Sequence, residues 1–178
     1  NPNFTDVNGI LFNKQKTVLK AYPPGKLVTN YTIPDSVTVI DKAAFKGCEL
    51  ISKITIPDGV TIIDDETFLN CFSLTNVSIP NSVTRIGYNA FLNCSLTSIK
   101  IPESVTIIEA QAFAGCTSLT NVKVPGGVNI IEPSAFSGSG LKDVIIGNGV
   151  TTIARQAFYF CENLTNITIP NSVSIIEE

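Results

Sequence analysis

A repeat solenoid, mainly β with short helical or 3₁₀ turns and an N-terminal β-hairpin cap, is the fold class this sequence predicts, on three observations. An apolar residue followed by proline, or by its stand-in Gly147, recurs every 22 or 23 residues, at Pro34, Pro57, Pro80, Pro102, Pro125, Gly147 and Pro170. A phenylalanine follows each of the first six marks by eleven residues, at Phe45, Phe68, Phe91, Phe113, Phe136 and Phe158. Valine stands three positions after all seven marks, from Val37 to Val173, and isoleucine six positions after, from Ile40 to Ile176. Self-similarity at one fixed period is the signature of stacked supersecondary units, none of which can bury its apolar face alone.

At the N-terminus, Ile10-Leu11-Phe12 and Thr17-Val18-Leu19-Lys20-Ala21-Tyr22 flank the polar Asn13-Lys14-Gln15-Lys16, a hairpin pattern that Pro23-Pro24-Gly25 ends. An open solenoid end invites edge pairing, so residues 1–27 are expected to form a cap or inter-array element. Residues 28–178 then form about six complete repeats plus a truncated last one. Within each unit, Leu-x-x-Val-x-Ile has the period of two and the β-branched content of a strand. The Pro-Asn-Ser or Pro-Asp-Gly after it supplies turn chemistry. Val-Thr-x-Ile is a second short extended piece. Ala-Phe-x-[Gly/Asn]-Cys reads as a single helical or 3₁₀ turn. The two copies that are one residue short lose it between the phenylalanine and the next leucine, where a turn absorbs the deletion without moving the core. Stacking at the strand spacing of about 4.8 Å then lays leucine on leucine and phenylalanine on phenylalanine. The chain starts without methionine and stops at Glu178 inside the pattern, so it reads as a piece of something longer.

The unit Leu-x-x-Val-x-Ile-Pro-x-[Ser/Gly]-Val-x-x-Ile-x-x-x-Ala-Phe-x-x-Cys resembles the BspA-like subclass of leucine-rich repeats. The likeness covers residues 28–178 and touches the N-terminal hairpin; Thr67, Ser139 and Gly147 depart from it. The resemblance implies a bacterial cell-surface or secreted protein engaged in adhesion or in binding a host extracellular protein.

Composition removes many functions. A 44% hydrophobic content against 15% charged residues excludes a disordered chain, and the absence of histidine excludes histidine triads and imidazole-ligated zinc. A net charge of −3 gives no reason to expect nucleic acid. What basic surface there is belongs to residues 1–46, with six lysines against Asp6, Asp35 and Asp41. No apolar run reaches the ~20 residues of a membrane span.

Several residue sets carry chemistry in principle. Cys48, Cys71, Cys94, Cys116 and Cys161 each stand three after a phenylalanine. Their odd number, strict register and the Ser139 replacement favour a column of small buried hydrophobes over a disulfide framework or a soft-metal ladder. Asp41, Asp64, Glu109, Glu132 and Glu177 share one repeat position. Each is better placed to satisfy free amides of the Ala-Phe turn than to build the six-to-eight-oxygen shell of calcium. Five positions after each mark lie Val39, Ile62, Arg85, Ile107, Ile130, Thr152 and Ile175. Regular register favours cover for this row, whereas exposure would make it a contact stripe. The strand-facing positions, among them Asn76, Lys100, Asn121 and Lys123, form a polar face without an aromatic. That disfavours carbohydrate, which stacks on rings. Six Asn-x-Ser/Thr sequons follow from composition alone. No nucleophile stands beside a base and no glycine-rich phosphate loop occurs.

The expected function is therefore a non-catalytic protein-binding or adhesion module without a cofactor. Its candidate surface is Asn76, Lys100, Asn121 and Lys123 on the strand face, or Ile107 and Ile130 on the stripe. The alternative is a structural spacer that displays other domains away from a cell surface and has no ligand of its own.

Overall fold

A computed structural model describes residues 1–178 as sixteen short strands and no helix. At the N-terminus β1 (Phe4–Val7), β2 (Ile10–Asn13) and β3 (Val18–Ala21) form an antiparallel meander. Asn13 closes its second turn, since the side-chain oxygen accepts the Thr17 and Val18 amides at 2.8 and 2.9 Å. From there the chain already behaves as half a coil. Val18 and Leu19 lie parallel beside Val39 and Ile40, and the Tyr22 ring stacks on Phe45 with centroids 5.1 Å apart.

Seven coils follow, numbered here by their marks from Pro34 to Pro170. Each sends one strand up to its mark and a two-residue strand away from it. The first set makes a front sheet of β4 (Asn30–Thr32), β6 (Lys53–Thr55), β8 (Asn76–Ser78), β11 (Asn121–Val124), β13 (Asp143–Ile146) and β15 (Asn166–Thr168). The second makes a back sheet of β5 (Val39–Ile40), β7 (Ile62–Ile63), β9 (Arg85–Ile86), β10 (Ile107–Ile108), β12 (Ile130–Ile131), β14 (Thr152–Ile153) and β16 (Ile175–Ile176). All pairings between coils are parallel and join residues one repeat apart, as Ile54 with Val77 and Val122 with Val144. Alternation turns one side of each strand into a single continuous core.

The Ala-Phe segment is not the helical or 3₁₀ turn that its sequence suggests. Two residues before each ring a non-glycine residue holds a positive φ, at Ala43, Glu66, Asn89, Gln111, Ser134 and Gln156 (φ 55 to 59°). Two residues after it the same conformation recurs at Gly47, Asn70, Asn93, Gly115, Gly138 and Phe160. Left-handed backbone costs about 1–2 kcal/mol per ordinary residue, and a cross-coil hydrogen bond offsets it. The amides of Gln111, Phe113 and Gly115 donate to Pro133, Ala135 and Ser137 of the next coil at 3.2, 2.8 and 2.8 Å. The intervening Ala112, Ala114 and Cys116 amides close local turns back to Glu109, Gln111 and Phe113. This alternation repeats at every junction from coil 1 to coil 6. Inside it the six phenylalanines form one column with centroid spacings of 5.2 to 5.6 Å.

The sheets are less continuous. The back sheet is interrupted between β5 and β7 and between β10 and β12. Two residues after the mark, Ser36, Ser82, Ser104 and Ser172 each donate a hydroxyl to a main-chain oxygen of the preceding turn at 2.7 to 3.0 Å, and the ladder is intact at each of them. Gly59 and Gly127 hold that place at the two interruptions. Gly149 keeps the ladder by a different route: coils 5 and 6 approach so closely that a Cβ there would run into the Gly126 carbonyl.

The front sheet stops at coil 4. Residues 97–101 carry the strand pattern but form no strand, and only the Thr97 amide reaches the neighbouring coil, at 3.3 Å from the Thr75 oxygen. This coil follows the first one-residue deletion. The second deletion leaves β13 intact because Gly140 lets its turn press against Thr117, where a side chain would collide. Ser95 occupies the corresponding place in the first and instead hydrogen-bonds the Phe72 oxygen at 2.6 Å. The core stays in place at both deletions, as expected, with Leu96 and Leu141 fully buried, but the strand expected in every unit is missing after the first.

Candidate functional site

The five cysteines are all free, and Cys48, Cys71, Cys94 and Cys116 are buried as expected, whereas Cys161 in the outermost turn is only partly covered. They are more than small hydrophobes. Each thiol donates to a carbonyl of the preceding coil: Cys71 to Phe45 at 3.1 Å, Cys94 to Phe68 at 3.1 Å, Cys116 to Phe91 at 3.2 Å and Cys161 to Phe136 at 3.2 Å, with Cys48 reaching Tyr22 at 3.7 Å. Burial pushes the thiols of Cys48 and Cys116 up to about 12 and that of Cys94 upward as well. Thiols held neutral in this way are inert as nucleophiles. No three of the cysteine, aspartate and glutamate side chains converge where they could hold a metal ion.

The shared acidic position does three different things. Asp64 accepts the amide of the next residue at 2.8 Å, as an acid at a turn start should. Glu109 and Glu177 instead reach back one coil to accept the Tyr88 and Arg155 amides, each at 3.1 Å, which corrects the expectation that they serve their own turn. Asp41 pairs with Lys20 at 2.8 Å. The two departures from the repeat in coil 3 compensate each other. Arg85 stands where other coils have an apolar residue and contacts Glu109, Asp65 and Asp64 at 2.8, 3.1 and 3.3 Å. Gly87 stands where others have an acid, and a Cβ there would lie 2.7 Å from the Asp65 amide nitrogen. The Glu109 hydrogen bond holds the Arg85 guanidinium protonated still more firmly than usual.

The row five after the mark is exposed, against the expectation that regular register would cover it. Val39, Ile62, Ile107, Ile130 and Ile175 keep 37 to 52% of their surface in water. The reason is the pleat: Ile40, Ile63, Ile108 and Ile131 at the next position point into the core, so their neighbours must point out. No second layer packs on the back sheet. Arg85 and Thr152 interrupt the stripe, leaving Ile107 and Ile130 as its adjacent apolar pair near the middle.

On the front face Asn76, Lys100, Asn121 and Lys123 are all exposed, but they are not equivalent. Lys123 is tied to Glu103 at 2.6 Å, whereas Lys100 has no ion-pair partner. The Glu103 carboxylate is correspondingly held below its ordinary value by the Lys123 hydrogen bond. The face also presents Ile145, 51% exposed, beside Lys123 in a row otherwise filled by polar side chains. Sequence reasoning passed over it, although it stands two before Gly147 just as Lys123 stands two before Pro125. An exposed aromatic pair, Tyr159 and Phe160 with centroids 4.2 Å apart, lies at the turn edge, outside this face.

A family profile described as a BspA type leucine rich repeat region matches in six copies over residues 24–95 and 84–178. The crystal structure of a leucine-rich repeat protein from Eubacterium ventriosum is similar over 100% of this chain and 49% of its own, with 31% identity and a TM-score of 0.90. One from Bacteroides ovatus is similar over 100% of this chain and 47% of its own, with 30% identity and a TM-score of 0.87. The T. pallidum leucine rich repeat protein matches over 89% and 77%, with 27% identity and a TM-score of 0.83. The chain thus spans about half the length of the first two. No curated protein matches it.

Proposed function

The chain belongs to the BspA-type leucine-rich repeat family, and from that premise we propose that it is a non-catalytic protein-binding module, secreted or held at a bacterial cell surface. Solenoids of this kind are typically non-enzymatic scaffolds that present a large face for their mass. The observation that carries the reading is the exposed stripe of Val39, Ile62, Ile107, Ile130 and Ile175 on a face that no other layer covers. Removing apolar surface from water is worth about 25 cal/mol per Å², so a partner that covers several of these side chains gains affinity without any pocket. The front face is the weaker candidate, because Lys123 already has a partner in Glu103. Binding to a host extracellular protein is the adhesive role that the family suggests.

The test is binding to immobilised host extracellular proteins at low and high salt. Ile107→Thr with Ile130→Thr should weaken binding by about 10-fold or more, and the wild-type interaction should hold or strengthen in salt. Lys100→Ser with Lys123→Ser should change it little. A steep loss in salt with the lysine pair as the sensitive one moves the site to the front face. If both pairs bind as the wild type does, the spacer role replaces the binding one.

A further inference from the structure

We propose that the solenoid is two stacked blocks, coils 1–4 and coils 5–7, hinged along the phenylalanine column at the junction between coils 4 and 5. This is the one junction at which neither sheet carries a hydrogen bond: residues 97–101 make none to coil 5, and β10 makes none to β12. Every other junction between coils keeps at least one sheet, as coils 1 and 2 do through β4 and β6. Three clefts border the same junction. A cleft of about 580 Å³ runs from Asn81 past Lys100 and Ser104 to Lys123, and one of about 250 Å³ lies between Ser98, Asn121 and Asp143. On the opposite sheet a third, of about 180 Å³, separates Ile107 from Ile130.

At the turn edge the same junction is fully made. The three cross-coil bonds from Gln111, Phe113 and Gly115 are present, and Phe113 stacks on Phe136 at 5.4 Å and 4°. Attachment along one edge with unpaired backbone along the others is the arrangement of a hinge, since bending at the attached edge breaks no main-chain hydrogen bond at the far side. The pair Lys123–Glu103 crosses the seam, but it is solvent-exposed and screened by water and salt, a latch and not a lock. The hinge gives the candidate surfaces a common mechanics. Lys100 and Lys123 straddle it on the front, and Ile107 and Ile130 on the back, so bending at the hinge changes the spacing within both pairs. The inference stands on the backbone alone and does not depend on what the module binds.

The experiment is pulsed electron paramagnetic resonance on two spin-label pairs that span the same coils. Asn30→Cys with Asp143→Cys reports the front sheet from coil 1 to coil 6, and Lys46→Cys with Tyr159→Cys reports the turn edge. Both are made with Cys161→Ser, because Cys161 is the native cysteine that is not fully buried and serine already holds its place in coil 5. A hinge predicts a front-sheet distance distribution about twice as broad as that at the turn edge. It also predicts that Gly127→Ser narrows it. A Cβ there lies 3.4 Å from the Val105 oxygen, so the new hydroxyl can make the bond that Ser104 makes to Val83 at 2.7 Å. Ser95→Gly, which copies Gly140, is a second repair should the first fold poorly. Equal widths in the two pairs, or a front-sheet width that neither repair changes in folded protein, overturn the hinge.

Discussion

At the turn edge every neighbouring pair of coils from coil 1 to coil 6 is joined by three main-chain hydrogen bonds and a stacked phenylalanine, whereas the sheets are interrupted three times over the same length. The difference lies in what each region asks of its residues. The turn edge needs a small buried residue, an aromatic and a thiol or hydroxyl at fixed spacing, and all six turns meet it with conservative changes. The sheets depend on how closely adjacent turns approach, which one side chain at a mark or one deleted residue can alter. A repeat protein can therefore vary its faces while one edge holds the stack.

The largest test of that comparison is Phe113→Ala. Its ring is fully buried between Phe91 and Phe136, and removing it should cost ~3–5 kcal/mol in urea unfolding, because neighbours locked by cross-coil bonds cannot collapse into the space. Phe158, which stacks on one neighbour and is only partly buried, should cost less. Equal losses at the two positions would break the claim that the column works as a stack.

Alkaline pH should attack the same edge. Cys48 and Cys116 have folded values near 12 against an ordinary 9.0, so the folded state favours the neutral thiol. Their contribution is complete below the unfolded value and is lost as pH rises from about 9 toward about 12, when the unfolded chain gains the proton release that the folded chain resists. Unfolding midpoints should fall over that range, and Cys116→Ser should lessen the fall while keeping a donor to the Phe91 oxygen. Thiol reagents should leave Cys48, Cys71, Cys94 and Cys116 unlabelled in native buffer.

The sheets should respond by smaller steps and in both directions. Gly149→Ser should destabilise by ~1–3 kcal/mol, since coils 5 and 6 must part to admit its Cβ. Gly127→Ser should stabilise by ~0.5–1 kcal/mol through the hydroxyl bond it adds. If the two substitutions shift thermal unfolding in the same direction, approach distance is not what decides where the ladder forms.

Much of this was legible in the residues. The period places the column, the core and the coil boundaries, because valine at three and isoleucine at six recur without exception. The pleat made the stripe legible too, although regular register argued for cover. Serine against glycine two after the mark is also visible in the sequence, yet its effect depends on how closely the coils lie: a Cβ would stand 3.3 Å from the Thr106 methyl at Gly127 but would run into the Gly126 carbonyl at Gly149. Ser95 and Gly140 differ by one hydroxymethyl group, and only the position of Thr117 tells why that decides the presence of a strand. The turn conformation was hidden for a related reason: Ala43, Glu66 and Gln111 have no intrinsic preference for positive φ and adopt it because the next coil supplies an acceptor. Arg85 and Gly87 stand at different repeat positions, and only the three carboxylates around the guanidinium, with Asp65 packed against Gly87, relate them.

The most direct measurement is native-state hydrogen exchange resolved by residue. If the turn edge holds the stack, the amides of Phe68, Phe91, Phe113 and Phe136 should share the slowest exchange, set by global unfolding, on both sides of the coil 4–coil 5 junction. The amides of Ile99, Lys100 and Ile101 should exchange quickly, and those of β6 and β13 should fall between. Exchange at Phe113 faster than in β6 or β13, or protection of Ile99 and Ile101 equal to that of the phenylalanine amides, would contradict it.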